Sequence, residues 1–263
     1  MRTKISVALN GIELHSLDEA IILQSLDEAT PNWNITAGNR GNKTGQYVNS
    51  IEERYREIGI SFAIDEKQDL IRRAEILQRV FAWAKAGGDL TVNYRDRQKL
   101  RVICTALPAI KTVTKWAETY SITFRAYGIP YWQSMDEESV TVAATASANA
   151  TLQIRETGGG LLCFTAANAS GSTVNTLAIA ANNRHYSFAN LGLLDGETMR
   201  VDYDENGLQR IRIQASGGTW RSVMSKRETT SNDDIILNPG TNTVSMTSGS
   251  AVTWRIFTKG RWI

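Results

Sequence analysis

Along most of the chain apolar and polar residues alternate with a period of two between turn residues, placing one row of side chains in a core and the other outside. Residues 5–14 read ISVAL-NG-IEL, and the Asn10-Gly11 pair supplies the positive φ angles of a two-residue type I′ hairpin turn. A strand over 55–64 follows, with Ile58, Ile60, Phe62 and Ile64 lining one face. Between the two, residues 36–47 (TAGNRGNKTGQY) are polar and rich in Gly and Asn, which predicts an exposed loop. Then the period changes. Leu70, Ala74, Leu77, Phe81 and Ala84 recur at spacings of four and three, predicting one amphipathic helix over 66–86 that packs on a sheet. Asp65 with Gln68 fits a capping pair at its start, and Gly87-Gly88 fits its end. Its arginines, Arg72, Arg73 and Arg79, read as a solvated face.

Three further strands follow, DLTVNY, KLRVICTAL and ETYSITFRAYG, the last turning Ile122, Phe124 and Ala126 inward. At GIPYWQSMDEES, residues 128–139, alternation stops, Pro130 removes a ladder donor and an acidic run begins. A domain boundary is therefore expected there, giving domains 1–133 and 134–263. Beyond it Ser, Thr, Asn and Ala replace Lys and Leu, and short strands recur at 8–14 residue spacing: TLQIRE, GLLCFTA, NTLAIAA, HYSFANL, ETMRVDYD, LQRIRIQA, TWRSVMS and AVTWRIFT. Asn206-Gly207 and Gly217-Gly218 add hairpin turns, so the second half reads as an antiparallel β-sandwich.

Length agrees with two domains, since 263 residues exceed the commonest domain size. Charge adds little. There are 29 basic and 27 acidic residues, divided 18 to 15 over 1–133 and 11 to 12 over 134–263, so the first half is slightly basic and the second near neutral. Cys104 and Cys163 each sit in an apolar strand-like run and read as reduced, buried thiols. The opening MRTKISVALNG has no apolar stretch of signal length and nothing approaches a membrane span, so the expectation is a chain made in the cytosol. Asn34-Ile35-Thr36 and Asn168-Ala169-Ser170 then read as chance glycosylation triplets.

Catalytic patterns are wanting. No GxSxG elbow, phosphate-binding loop, dinucleotide fingerprint or HExxH helix occurs, and no catalytic, cofactor or metal residue is assigned. His15 and His185 stand apart from any second His or Cys. Asp202, Asp204, Asn206 and Gly207 imitate the start of a calcium loop, but its twelfth position falls on Ile213, which offers no oxygen. The same turn, with Glu205, is all that a remnant hydrolase could draw on. Gly158 to Gly160 precede no helix and read as a loop rather than a phosphate cradle. Of seven tryptophans, Trp254 alternates with Val252 and Ile256 and belongs to the core, whereas Trp220 beside the Gly217-Gly218 turn is the candidate platform for a sugar ring.

Several segments, in order, resemble the distal tail protein (Dit) family of long-tailed phages and prophages. These are the NG hairpin, EERYREIGISFAID, the amphipathic helix, a hairpin centred on YRDRQK, SITFRAYGIPYWQS, FANLGLLDGETMRVDYDENGLQRIRI, DDIILNPGTNTVSM and the closing VTWRIFTKGRWI. The resemblance covers nearly the whole chain. It implies a mainly β protein with an N-terminal split β-barrel carrying one α-helix and a C-terminal galectin-like antiparallel β-sandwich. It further implies a structural protein rather than an enzyme: a homo-oligomeric, hexameric ring at the virion tail tip, made in the host bacterial cytoplasm. Such a ring joins the tail tube protein to the tail-associated lysin or fibre hub protein, and receptor-binding proteins are further partners. Its lumen passes DNA without sequence-specific binding, a task that suits a slightly basic first half, and no membrane insertion is implied. A galectin-like fold does not itself license sugar binding. A carbohydrate-binding module for host-wall attachment, centred on Trp220, is the alternative reading.

Overall fold

The structure, a computed structural model, describes residues 5–39, 46–65, 69–108, 119–204 and 207–263. The chain divides into two compact units, Met1–Trp132 and Gln133–Ile263. Strands predominate in both, their pairings are antiparallel, and one α-helix is present among the described residues. The mainly β reading holds.

In the first unit the strands are β1 (Val7–Leu9), β2 (Ile12–Glu13), β3 (Ile21–Glu28), β4 (Trp33–Asn39), β5 (Gln46–Glu53) and β6 (Arg56–Ile64). After the helix α1 (Leu70–Lys85) come β7 (Gly88–Val92), β8 (Gln98–Ala106) and β9 (Thr119–Ala126). Asn10 and Gly11 take φ values of 52° and 80°, the left-handed pair the hairpin turn requires. One sheet runs in the order β2-β1-β7-β8-β9-β6-β3. Ile58, Ile60, Phe62 and Ile64 on β6 and Ile122, Phe124 and Ala126 on β9 are buried, as their alternation predicts.

The helix differs from expectation in three ways. It starts at Leu70 because Asp69, not Asp65, is its N-cap, with the side chain accepting from the Arg72 amide. The expected partner Gln68 lies outside the described residues. Its buried face is Ile76, Leu77, Val80, Trp83 and Ala84, while Leu70 is exposed and Ala74 and Phe81 are half-buried. The large residues Ile76, Val80 and Trp83 turn the buried face away from Leu70, Ala74 and Phe81, and Trp83 packs edge-on against Phe124 with ring centroids 6.0 Å apart. Finally, Arg72 and Arg79 are not simply solvated. Both reach Asp18 Oδ2, at 2.5 and 3.3 Å, and that carboxylate is only 4% exposed. They clamp the turn before β3 to the helix.

A short strand, β10 (Trp132–Ser134), stands at the junction of the units. The second unit then contains β11 (Ser139–Ile154), β12 (Gly160–Asn168), β13 (Leu177–Ala181), β14 (Arg184–Phe188), β15 (Glu197–Tyr203), β16 (Gln209–Ala215), β17 (Arg221–Ser222), β18 (Ile236–Leu237) and β19 (Gly240–Trp262). Two expected short strands are ends of long ones. TLQIRE begins in the last residues of the 16-residue β11 and AVTWRIFT lies within the 23-residue β19, and the two strands pair from Ser139↔Phe257 to Ile154↔Gly240. Register shifts at Val142, Thr145 and Ser147 bend the pair, so it enters two sheets. One sheet is β11-β19-β13-β14 and the other β11-β19-β12-β15-β16-β17.

The inward residues of both sheets form a single core, from Leu152, Ile179 and Phe188 on one side to Phe164, Val201 and Trp254 on the other. That is the sandwich expected of this half. TWRSVMS, by contrast, gives only the two residues of β17 and a 3-10 turn at Met224–Lys226. Gly207 is left-handed at the β15–β16 hairpin; its neighbour Asn206 lies outside the described residues. The closing segment meets the glycine run, for Arg261 N donates to Gly159 O and Gly158 N to Arg261 O, each at 2.8 Å. A Cβ on Gly159, whose φ is +73°, would come within 2.3 Å of the Leu237 carbonyl oxygen. The run is a tight structural turn.

Candidate assembly surface

The hairpin β4–β5 forms a two-stranded sheet of its own. Residues 36–39 and 46–47, expected to be loop, are paired strand from Thr36↔Ser50 to Asn39↔Gln46, while 40–45 lie outside the described residues. Polar, glycine-rich sequence conceals this strand because it shows no apolar–polar alternation. At the base of the hairpin Asn32 N donates to Tyr55 O and Arg54 N to Asn32 O, at 2.7 and 2.9 Å. Beside that base the Arg125 guanidinium lies 4.6 Å from the Tyr55 ring centroid and bonds Glu57 at 2.6 Å.

The pleat puts Trp33 and Ile35 on one face of β4, where they are 55% and 58% exposed. An isolated two-stranded ribbon is marginal in water, and this one carries an exposed Trp–Ile pair. The rest of the unit is similar. Among the described residues eleven of the seventeen exposed large hydrophobics fall in the first unit, including Ile22, Leu70, Ile71 and Ile103.

Polar groups in this unit are used structurally. Glu28 accepts from Arg95 Nε and Nη2, Trp132 Nε1 and the Tyr94 hydroxyl, which ties β3 to the β7–β8 turn and to the last residue of the unit. Burial alone would raise the Glu28 pKa, but hydrogen bonds from Arg95, Tyr94 and Trp132 and the Arg95 charge hold it below the ordinary range. His15 pairs with Glu13 at the surface, at 2.9 Å.

In the second unit Asp202 is committed to Arg200 and Arg212, at 2.7 and 3.1 Å. Asp204 accepts from Leu208 N and Arg210 Nη2 across the β15–β16 turn. Trp220, the candidate sugar platform, is 36% exposed, and the Arg212 guanidinium stands 5.3 Å over its ring. Cys163 is fully buried, with burial pushing its thiol up to about 12, whereas Cys104 is half-buried, against the expectation of a core thiol. A signal that sequence reading missed is Asn182-Asn183, with φ 51° and 60°, which turns β13 into β14. No helix among the described residues is long and apolar enough to cross a membrane.

No family model and no curated protein matches the chain. Solved structures do. It is similar to the Dit protein of SPP1, a hub adsorption apparatus protein of Gram-positive infecting phages, with TM-score 0.68 and 10% identity over 98% of this chain and 99% of that one. It is also similar to a chain of the phage P2 baseplate in its activated conformation, with TM-score 0.50 and 7% identity over 98% and 99%, in both the Ca and the Sr structures. At such identities the likeness is one of fold, and it extends along nearly the whole of both chains. The resemblance read from ordered motifs therefore returns as a shared Dit-like architecture.

Proposed function

We propose that the chain is a structural, non-enzymatic component of a phage or prophage tail tip, closing into a homo-oligomeric ring, hexameric in the family pattern, through its first unit. The ring connects the tail tube to the tail-associated fibre or lysin protein, has receptor-binding proteins as further neighbours, and passes DNA through its lumen. The reading is carried by fold likeness to a phage hub protein along 98% of the chain. It is supported by the unpaired β4–β5 hairpin, whose uncovered Trp33 and Ile35 give a neighbouring copy an apolar knob to bury. A patch on one protomer that meets a different patch on the next generates a closed ring when the rotation closes.

Light scattering and negative-stain imaging of the purified protein test the proposal. A closed ring is expected, and deleting 38–45 or changing Trp33→Ser with Ile35→Ser is expected to dissolve it while leaving each subunit folded. A strict monomer at high concentration that also ignores its tail partners overturns it. Carbohydrate binding at Trp220 is the weaker reading, because Arg212 already occupies a face of the ring on which a sugar would stack. Glycan-array binding abolished by Trp220→Ala would revive it.

A further inference from the structure

The outer face of the six-stranded sheet in the second unit gathers cations out of proportion to that unit's charge. Strand alternation places Arg200, Arg210, Arg212, Arg255, Lys259 and Arg261 on it, six of the eleven cations in 134–263. The acids with them among the described residues are Asp202, Asp204 and Glu137. Three of the arginines share one register row. Arg212 pairs with Arg200, Arg200 with Thr165, and Thr165 with Arg255, so the row crosses β16, β15, β12 and β19.

Like charges directly opposite one another destabilise a sheet, so this row needs support. It has two kinds. Asp202 bonds both Arg200 and Arg212. Aromatic rings also underlie the guanidiniums: Arg200 and Arg255 lie 5.1 and 5.4 Å from the Phe257 ring centroid, and Arg212 lies 5.3 Å from that of Trp220. Stacking on a ring fixes a guanidinium plane and leaves its N–H edge free to meet an oxyanion. Arg200 uses its Nε for Asp202 and Arg255 its Nη2 for Glu137, and the two side chains remain 33% and 46% exposed.

We infer that this arginine row is a binding surface for a flexible phosphodiester polymer with an alkyl or polyol backbone, such as a glycerol-phosphate chain. The surroundings of the row select that occupant. Bound single-stranded nucleic acid needs free rings for successive bases, whereas Phe257 is 1% exposed and Trp220, 36% exposed, already carries Arg212 over one face. An acidic protein partner needs apolar anchors at the centre of its footprint, and no exposed large hydrophobic lies on β12, β15, β16 or β19. A chain of phosphates on a small aliphatic backbone needs neither. The inference stands apart from ring formation, since it concerns only the second unit.

Isothermal titration of the full chain, in its native assembly, with a synthetic glycerol-phosphate oligomer tests it. Binding is expected, weakening with added salt as counterion release requires. Arg255→Gln is expected to weaken it about tenfold, the loss of one charge-assisted contact. Arg255→Lys should recover part of the affinity, since the charge stays and the stacked fork is lost. Arg255 is 46% exposed and, besides lying over Phe257, bonds the exposed Glu137, so its variants should unfold close to the wild-type temperature and remain usable even where Arg200→Gln does not fold. No measurable binding, equal affinity in Arg255→Gln, or tighter binding of duplex DNA or polyglutamate than of the oligomer would each overturn the inference. Loss of the ring with binding retained would count against the proposed function alone.

Discussion

The two units solve the same packing problem to different degrees of completion. In the second, a bent strand pair belongs to two sheets at once, a single core takes residues from both, and the last residues of β19 bond back onto the turn at Gly158 and Gly159. In the first, a sheet and one helix share a core, but a hairpin pairs with nothing else and most of the exposed large hydrophobics remain uncovered. One unit covers most of its large apolar side chains with its own chain; the other leaves more of them in water, as the proposed ring would require. Apolar burial should therefore hold the second unit together within a subunit, and in the first an additional share should appear only on assembly.

The largest expected effect separates those two kinds of burial. Trp254 is fully buried in the second core and packs on Phe164 at 5.9 Å, so Trp254→Ala should cost about 3–5 kcal/mol of folding stability in urea titration. Trp33→Ala, the same change of side chain at a 55% exposed site, should move subunit stability by no more than about 0.5 kcal/mol while weakening the assembly. Equal losses of subunit stability would erase the contrast. Next in size is Gly159→Ala. The new methyl would be forced against the Leu237 carbonyl in a left-handed backbone, at a cost of about 2–3 kcal/mol on the same titration, and a neutral result would mean that the closing strand is not held there.

How much of this was legible follows the range of the interactions. The hairpin at Asn10-Gly11, the inward rows of β6 and β9 and the burial of Trp254 all repeat over a few residues, and local pattern found them. β11 and β19 read as shorter strands because Ser, Thr, Asn and Ala supply little contrast between faces. What lengthens them is pairing with each other across about a hundred residues of sequence, as in Ala150↔Val244. Residues 36–47 read as loop for a related reason: TAGNRGNKTGQY has no apolar–polar alternation to mark the strand ends that pair there. The Asp18 clamp on Arg72 and Arg79 was invisible because a charged stripe on a helix looks the same whether it meets water or a buried carboxylate. In the second unit the Gly217-Gly218 turn marks Trp220 but not the arginine over one face of its ring, which comes from the neighbouring strand.

A smaller effect distinguishes polar order in the first unit from its apolar incompleteness. Glu28 has a folded pKa held below its ordinary value of 4.5, so its stabilising contribution is complete above that value and is lost as pH falls below it toward the folded pKa. Glu28→Gln should cost about 1 kcal/mol at neutral pH, allowing for its partial exposure to solvent, and the gap to wild type should close on acidification below about 4.5. A gap that stays constant down to strongly acid pH would remove the carboxylate from that role.

The smallest effect on stability, and the sharpest probe of closure, comes from the two thiols. Burial raises both pKa values, but Cys163 lies fully inside the second unit with its thiol pushed up to about 12, whereas Cys104 sits half-buried on β8 of the first. Alkylation needs the thiolate and access to it. With iodoacetamide at mildly alkaline pH, native protein should therefore take up label slowly at Cys104 and resist it at Cys163, as peptide mass spectrometry would read. Cys163 lies on the face of β12 opposite to Leu162 and Phe164, beside Phe257, so its labelling must wait for opening of the β12–β19 pair. Trp254→Ala, which removes a buried side chain from that pair, should accelerate it while leaving Cys104 unchanged. If Cys163 reacted as fast as Cys104 in the folded wild type, the second unit would open as readily as the first, and the contrast between a self-completed sandwich and a unit with uncovered apolar surface would fail.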